Sequence, residues 1–267
     1  MKIIRDPAEK LNIKAVVALG CFDGVHIAHA CVIGEAVRIA RERGLVSAVW
    51  SFREPPKNAF SKEKVPLICD STEKARLIQA LGADILTEPY FTPEIAGMSA
   101  RDFVKKLLVD CSGAVHLVCG RSYTFGAYAK GNADTLGELC REFGLGLSIV
   151  DDVKLDGVCV SSSLVRDAVT EGQCVYASSL LGRNFAMCFD GADNESMHNS
   201  DGTAFRINEK YLCVPAGEYG VTVYFDGCKR ECAASVKESG EGRVLLLNTH
   251  IDTSSRVRVE FCTDRFY

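Results

Sequence analysis

The stretch that most restricts what this chain can fold into is Gly20 to His29, reading G-C-F-D-G-V-H-I-A-H. Before it, Ala15 to Leu19 is a purely apolar run of strand length; after it, Ile33, Ala36, Val37 and Ala40 recur at helical spacing until Gly44. That change of period places the stretch in a strand-to-helix turn. Gly20 and Gly24 let the backbone bend tightly and approach a ligand, while the unpaired N–H groups and positive dipole end of the new helix attract anions. His26 and His29 are three residues apart, so in a helical first turn both rings point at one spot. Two imidazoles there can donate hydrogen bonds to a nucleoside triphosphate and stabilise charge developing at its α-phosphorus. A bare H-x-x-H is more often a solvated face or half of a metal site. Strand, paired glycines, the acid Asp23 and both histidines together favour a phosphate site.

The first two-thirds of the chain continue this alternation. Leu45 to Phe52 is a second strand candidate, and Asp70 with Glu73 forms a capping-box pattern ahead of a helix through Leu81. Ala83 to Leu86 is a third strand, Ser99 with Asp102 caps a helix through Leu108, and Ala114 to Cys119 is a fourth strand. Leu136, Leu139, Cys140 and Phe143 mark another helix, and Leu147 to Val150 a fifth strand. Such a pattern predicts an α/β domain with a parallel sheet, its ligands bound at the carboxyl ends of the strands. From Asn184 the character changes. Polar residues from Asp190 to Asp201 predict a loop or linker. Beyond it Gly220 to Phe225, Glu231 to Lys237, Arg243 to Asn248 and Arg256 to Cys262 are short alternating runs, with Asp226-Gly227 as a turn signal, which predicts a small antiparallel barrel or sandwich.

Composition narrows the functional classes. A net charge of -4 and the lack of any Lys/Arg run give no general field for nucleic acid, so an anionic nucleotide must be held locally. No window approaches the ~20 apolar residues of a membrane span, and the N-terminal M-K-I-I-R-D-P-A-E-K lacks the apolar core of a signal peptide, which predicts a cytoplasmic protein without membrane partners. The 13 cysteines are scattered, without a C-x-x-C pair, and read mostly as small buried hydrophobes in a reducing compartment. Cys21 lies near a helix N-terminus, where oxidation would interfere with the motif, although an inert role is the simpler reading.

Gly20-Cys21-Phe22-Asp23-Gly24-Val25-His26 followed by His29 resembles the G-x-F-D-G-V-H-x-G-H signature of the nucleotidyltransferase module in bacterial bifunctional riboflavin kinase/FAD synthetases, with Ala28 where the family has Gly. Three later stretches extend the resemblance. Phe52 to Pro56, F-R-E-P-P, is similar to the family's F-x-P-x-P. Gly120 to Gly131 is similar to G-x-[DN]-F-x-F-G-x-x-x-x-G, with Ser122 replacing the amide or acid, Tyr123 and Phe125 as a wall for a flat ring, and Lys130 facing a phosphate. Val160 to Arg166, V-S-S-S-L-V-R, is similar to I-S-S-T-x-I-R, and Ala177 to Arg183 to the closing L-L-G-R. Taken alone, these aromatics read as ordinary loop and core residues, and Arg166 as a solvated cation after a capped helix.

The resemblance covers about residues 1–185 and implies a Rossmann-like nucleotidyltransferase of the HxGH superfamily, followed over 186–267 by a smaller antiparallel β-barrel domain. It implies FAD synthesis from ATP and FMN with Mg²⁺ carried on the ATP. In it His26, His29 and Arg166 are catalytic; Gly20, Phe22, Asp23, Gly24, Ser161, Ser162 and Ser163 bind ATP; Ser122, Tyr123 and Phe125 bind flavin; no metal ligand is assigned. The smaller domain resembles the family's riboflavin kinase in V-P-A-G-E-Y-G-V, Val214 to Val221. It is degenerate where P-T-A-N becomes Gly202-Thr203-Ala204-Phe205 and where Arg243 aligns with the family's basic Glu, which predicts no kinase activity. Two rivals stand beside this reading: adenylylation of another phosphorylated metabolite, such as a pantetheine or nicotinate nucleotide, and a non-catalytic flavin- or nucleotide-binding regulator.

Overall fold

The computed structural model describes residues 1–190, 196–199, 202–240 and 242–265. They form two compact units. The first comprises Met1–Val65 and Lys74–Cys159; the second takes Pro66–Glu73 and the chain from Val160 onward.

In the first unit β1 (Lys2–Ile4), β2 (Ala15–Leu19), α1 (Ile27–Arg43), β3 (Val46–Trp50) and α2 (Pro56–Phe60) are followed by α3 (Ser71–Ala80), which enters from the second unit. Then come β4 (Ile85–Thr87), α4 (Pro93–Ala96), α5 (Ala100–Asp102), β5 (Ala114–Gly120), α6 (Ala133–Phe143), β6 (Gly146–Val150) and the small hairpin of β7 (Lys154–Leu155) and β8 (Val158–Cys159). The sheet is parallel, in the order β1-β4-β3-β2-β5-β6. β2 is central and buried along its whole length, which is why its sequence shows no alternation. The chain leaves β2 toward β3 and later returns to β5 on the other side, so the turn after β2 opens at the switch point of the sheet, where such folds bind ligands. α1 buries Val32, Ile33, Ala36, Val37 and Ala40 and stops at Gly44, whose φ of 62° supplies the left-handed cap.

Side-chain caps mark other helix starts as the sequence predicts. Asp70 accepts the Glu73 N–H at 2.9 Å, and Ser99 accepts that of Asp102 at 3.0 Å. The helix after Ser99 departs from expectation: from Phe103 to Cys111 it is wound as a π-helix.

The second unit contains α7 (Ser162–Thr170), α8 (Cys174–Leu181) and strands β9 (Phe185–Phe189), β10 (Ser196–Asn199), β11 (Gly202–Arg206), β12 (Gly217–Phe225), β13 (Cys228–Ser239), β14 (Gly242–Leu247) and β15 (Val257–Phe261). The strands build an antiparallel half-barrel in the order β10-β11-β14-β13-β12-β15-β9. Asp226 and Gly227, at φ 44° and 72°, make the tight turn between β12 and β13. Two expectations change here. Within the polar stretch read as a loop, residues 196–199 form a strand, because Ser196–Asn199 ladder onto β11 at the sheet's edge, where an apolar alternation is not required; the rest of that stretch after Asp190 lies outside the described residues. And residues 160–185, assigned by sequence to the first domain, belong to the second unit. There Arg265 N–H donates to the Gly172 carbonyl at 3.3 Å and Val175 N–H to Asp264 at 2.8 Å.

An early segment is also stitched into this unit. Leu67 N–H donates to the Lys210 carbonyl at 2.9 Å, Leu212 N–H donates to the Leu67 carbonyl at 2.7 Å, and Arg256 pairs with Asp70 at 2.5 Å. The cysteines are all free. Cys111, Cys119, Cys140, Cys174 and Cys213 are buried as expected, whereas Cys31, Cys159, Cys228 and Cys262 are exposed.

Candidate active site

The turn after β2 is held in an unusual backbone conformation. Phe22, Gly24 and Val25 all have positive φ, at 52°, 75° and 41°. For Phe22 and the β-branched Val25 this costs about 1–2 kcal/mol each. Burial of the Phe22 ring in the core beside α1 offsets part of it, at about 1.5–3 kcal/mol for such a side chain. Ser51 Oγ donates to the Cys21 carbonyl at 2.7 Å and ties the turn to the end of β3. Gly20 is required by the same packing, because a Cβ there would stand 2.8 Å from two carbons of the Phe22 ring. Gly20→Ala is therefore expected to destabilise the protein by about 1–3 kcal/mol. Chemical denaturation checks this, and an unchanged midpoint would show that the ring is free to yield.

His26 is the N-cap of α1, not a member of its first turn as the spacing suggests. Its backbone is extended, at φ -71° and ψ 172°, and its Nδ1 accepts the His29 N–H at 3.3 Å. That bond assigns the proton of neutral His26 to Nε2. The two rings still meet, stacked with centroids 3.5 Å apart and 16° between planes, and Phe22 packs edge-on against His29 at 5.2 Å. Burial above all, with smaller electrostatic effects of neighbouring His26 and Lys74, holds the pKa of His29 well below the usual imidazole value, so it is neutral at neutral pH. His29 Nδ1 is buried without a hydrogen-bond partner. A paired imidazole with an unmet ring nitrogen, beside the free N–H groups of a helix start, is chemically suited to an oxyanion. Asp23 is buried in the same turn.

The loop from Gly120 to Gly131 is clasped by two backbone bonds between Phe125 and Gly131, at 3.0 and 2.9 Å. Phe125 is 6% exposed, with Phe103 at 5.9 Å and Tyr123 stacked on it at 5.6 Å. It is thus a core residue that shapes the loop. Tyr123 is half-buried, whereas Ser122 and Lys130 are exposed.

In the second unit, Ser161 Oγ accepts the Leu164 N–H at 3.2 Å and caps α7, whose first turn contains Ser162 and Ser163. Arg166 is not a solvated cation; it is 8% exposed and its Nε donates to the Pro66 carbonyl at 2.8 Å.

Sequence reasoning noted Phe52 in the F-R-E-P-P stretch but missed the aromatics gathered around it past the carboxyl ends of β3 and β4. Phe52 meets Phe91 edge-on at 5.0 Å, Phe91 meets Phe60 at 5.9 Å, and Phe60 and Tyr90 are 62% and 56% exposed. The adjacent Tyr90-Phe91 pair after a strand was the available signal, but such pairs ordinarily read as core.

A Rossmann-like sheet whose central strand opens into a Gly-rich turn is the fold expected of a nucleotidyltransferase, the class to which this chain's family belongs. The FAD synthetase profile matches residues 8–164. The chain belongs to the FAD synthetase family. It is similar to the bifunctional riboflavin kinase/FMN adenylyltransferase of Bacillus subtilis, with 30% identity over 219 residues, 80% of this chain and 69% of the relative. The protein of that name from Listeria monocytogenes is 32% identical over 224 residues, 82% of this chain and 71% of the relative. A crystal structure from Streptococcus pneumoniae, described as a macrolide-efflux protein, aligns with 99% of this chain and 90% of its own at a TM-score of 0.85. At 24% identity that likeness bears on the fold alone.

Proposed function

We propose that this chain transfers the adenylyl group of ATP to FMN. An oxygen of the FMN phosphate attacks the α-phosphorus, the bond to the β-phosphate oxygen breaks, and pyrophosphate leaves. The nucleophile is already ionised, so positioning and charge neutralisation dominate over base catalysis. The observation that carries the reading is the stacked His26–His29 pair, with its unmet ring nitrogen, at the start of α1 on the carboxyl end of β2. In this reading the Gly-rich turn and the start of α1 face the phosphates, with Gly20 N–H held by the Trp50 carbonyl at 3.3 Å as part of the turn's frame, and both imidazoles donate to the charge that grows at the α-phosphorus.

Among the described residues no cluster of three acidic, histidine or cysteine side chains is arranged to hold a metal by itself. Mg²⁺ arriving on the triphosphate needs few protein ligands, and the carboxylate that this turn offers is Asp23. When bound, the ion would neutralise phosphate charge. The rim of exposed Phe60 and Tyr90 and half-buried Phe91, with Ser122 and Tyr123, supplies surfaces suited to a flat ring system. Ser161, Ser162, Ser163 and Arg166 are assigned to ATP on the strength of the motif resemblance; the Pro66 carbonyl takes the Nε–H of Arg166, and phosphate would be met by its Nη groups. Among the described residues no helix is long and apolar enough to cross a membrane.

The deciding experiment is pyrophosphate release from ATP with FMN, riboflavin, phosphopantetheine and nicotinate mononucleotide side by side. Release with FMN alone, with FAD appearing in step, is the expected result. Release with another acceptor, or tight flavin binding without release, would replace this reading with one of its rivals.

A further inference from the structure

Lys74 and Glu88 are buried in the first unit, their side chains 4% and 1% exposed, with Lys74 Nζ 3.5 Å from Glu88 Oε2. Stability does not explain the pair. Two charges withdrawn from water at that separation recover little of their desolvation, and Glu88 Oε2 has no hydrogen-bond partner. An apolar pair of similar volume would serve the fold as well. What the ammonium does make is a short hydrogen bond to the Phe52 carbonyl.

That carbonyl occupies a particular place. Phe52 lies just past β3, and Glu88 directly follows β4, the neighbour of β3 in a sheet whose next strand is β2. All three strands end on the rim that carries the histidine turn. The Phe52 ring is set edge-on against Trp50 and against Phe91, both at 5.0 Å, and Phe91 in turn meets Phe60. Fixing the backbone at Phe52 therefore fixes the aromatic rim.

We propose that Lys74, with Glu88 as its counter-ion, is a positioning residue for the flavin acceptor, holding the rim of Phe52, Phe91 and Phe60 in its binding arrangement; this rests on the adenylyl transfer proposed above. Glu88 Oε2, 3.5 Å from Lys74 Nζ, is the carboxylate oxygen that faces the ammonium in this buried place.

The test compares the wild type with Lys74→Met and with the doubly neutral Lys74→Met/Glu88→Leu. FMN affinity is read by flavin fluorescence quenching, ATP affinity by calorimetry, KM for each substrate by FAD formation, and folding by thermal melting. The double variant is expected to melt no lower than the wild type. Its Kd and KM for FMN should rise roughly five- to tenfold, as when a binding surface loses preorganisation, with those for ATP within about twofold. Unchanged FMN binding in a folded double variant, equal weakening toward both substrates, or failure of the double variant to fold would each overturn the proposal. Wild-type protein that binds FMN but makes no FAD would sink the transfer reaction and leave Lys74 to be judged on Kd. Wild-type protein that binds no FMN would sink both.

Discussion

His29→Ala is expected to lower FAD formation by two to three orders of magnitude while FMN binding changes little. The imidazole has the properties of a group kept for the transition state. It is neutral at neutral pH, stacked on His26, and carries a buried ring nitrogen that nothing in the described chain satisfies. Removing one preorganised donor from a developing oxyanion costs roughly 2.7–4 kcal/mol, which is the predicted rate loss. The substitution is also well isolated. The bond that fixes the tautomer of His26 comes from the His29 backbone N–H, which alanine keeps. Single-turnover FAD formation, with circular dichroism as the control for folding, makes the measurement. Near-normal turnover by a folded variant would mean that the pair serves only to cap α1.

The second large effect is an absent activity: riboflavin with ATP and Mg²⁺ should yield no FMN. The family resemblance assigns kinase chemistry to a Thr and an Asn that hold metal and phosphate, and to a Glu that takes the riboflavin hydroxyl proton. Here the Asn position is Phe205, which is buried and stacked on Phe189 at 4.5 Å. A phenyl ring cannot ligate a metal. Thr203 is buried in β11, and its Oγ1 accepts the Ile251 N–H at 3.1 Å. Arg243, aligned with the base, is paired to Glu238 at 2.9 Å and stays protonated at any working pH. With both the cradle and the base replaced, a neutral alcohol has no means of activation. Chromatography of the reaction for FMN is the check, and robust FMN formation would overturn the assignment of Gly202 to Phe205.

The elements around the site were legible because each carries a local signal. A central parallel strand is an unbroken apolar run, as Ala15 to Leu19 is, and helix starts announce themselves through capping side chains such as Asp70, Ser99 and Ser161. What stayed hidden depends on partners distant in sequence. β10 is polar and becomes a strand only by laddering onto β11. His26 as a cap has no propensity rule behind it. Lys74 reads as one more charge on the outer face of a helix until the carbonyl of Phe52 and the carboxylate of Glu88 are brought around it. In the same way Phe125 offers no sequence mark separating a ring that lines a ligand from one that fills the core, where it lies.

The stitching of Pro66–Glu73 into the second unit bears on how the protein is made. Leu67 leaves the ribosome well before its ladder partners Lys210 and Leu212, and Asp70 well before Arg256. At ~5–20 residues per second that wait is on the order of ten seconds, during which Leu67 and Asp70 lack these later partners. The first unit is interrupted in sequence by a gap between Val65 and Lys74, whose residues ladder onto others synthesised much later. A fragment ending near residue 185 would keep that gap permanently, with Leu67 deprived of its strand partners. One beginning at Val160 would lack the strand-like insert and the carboxylate that Arg256 grips. Although the sequence reads as two modules in series, the second unit is thus assembled from two segments far apart in the chain.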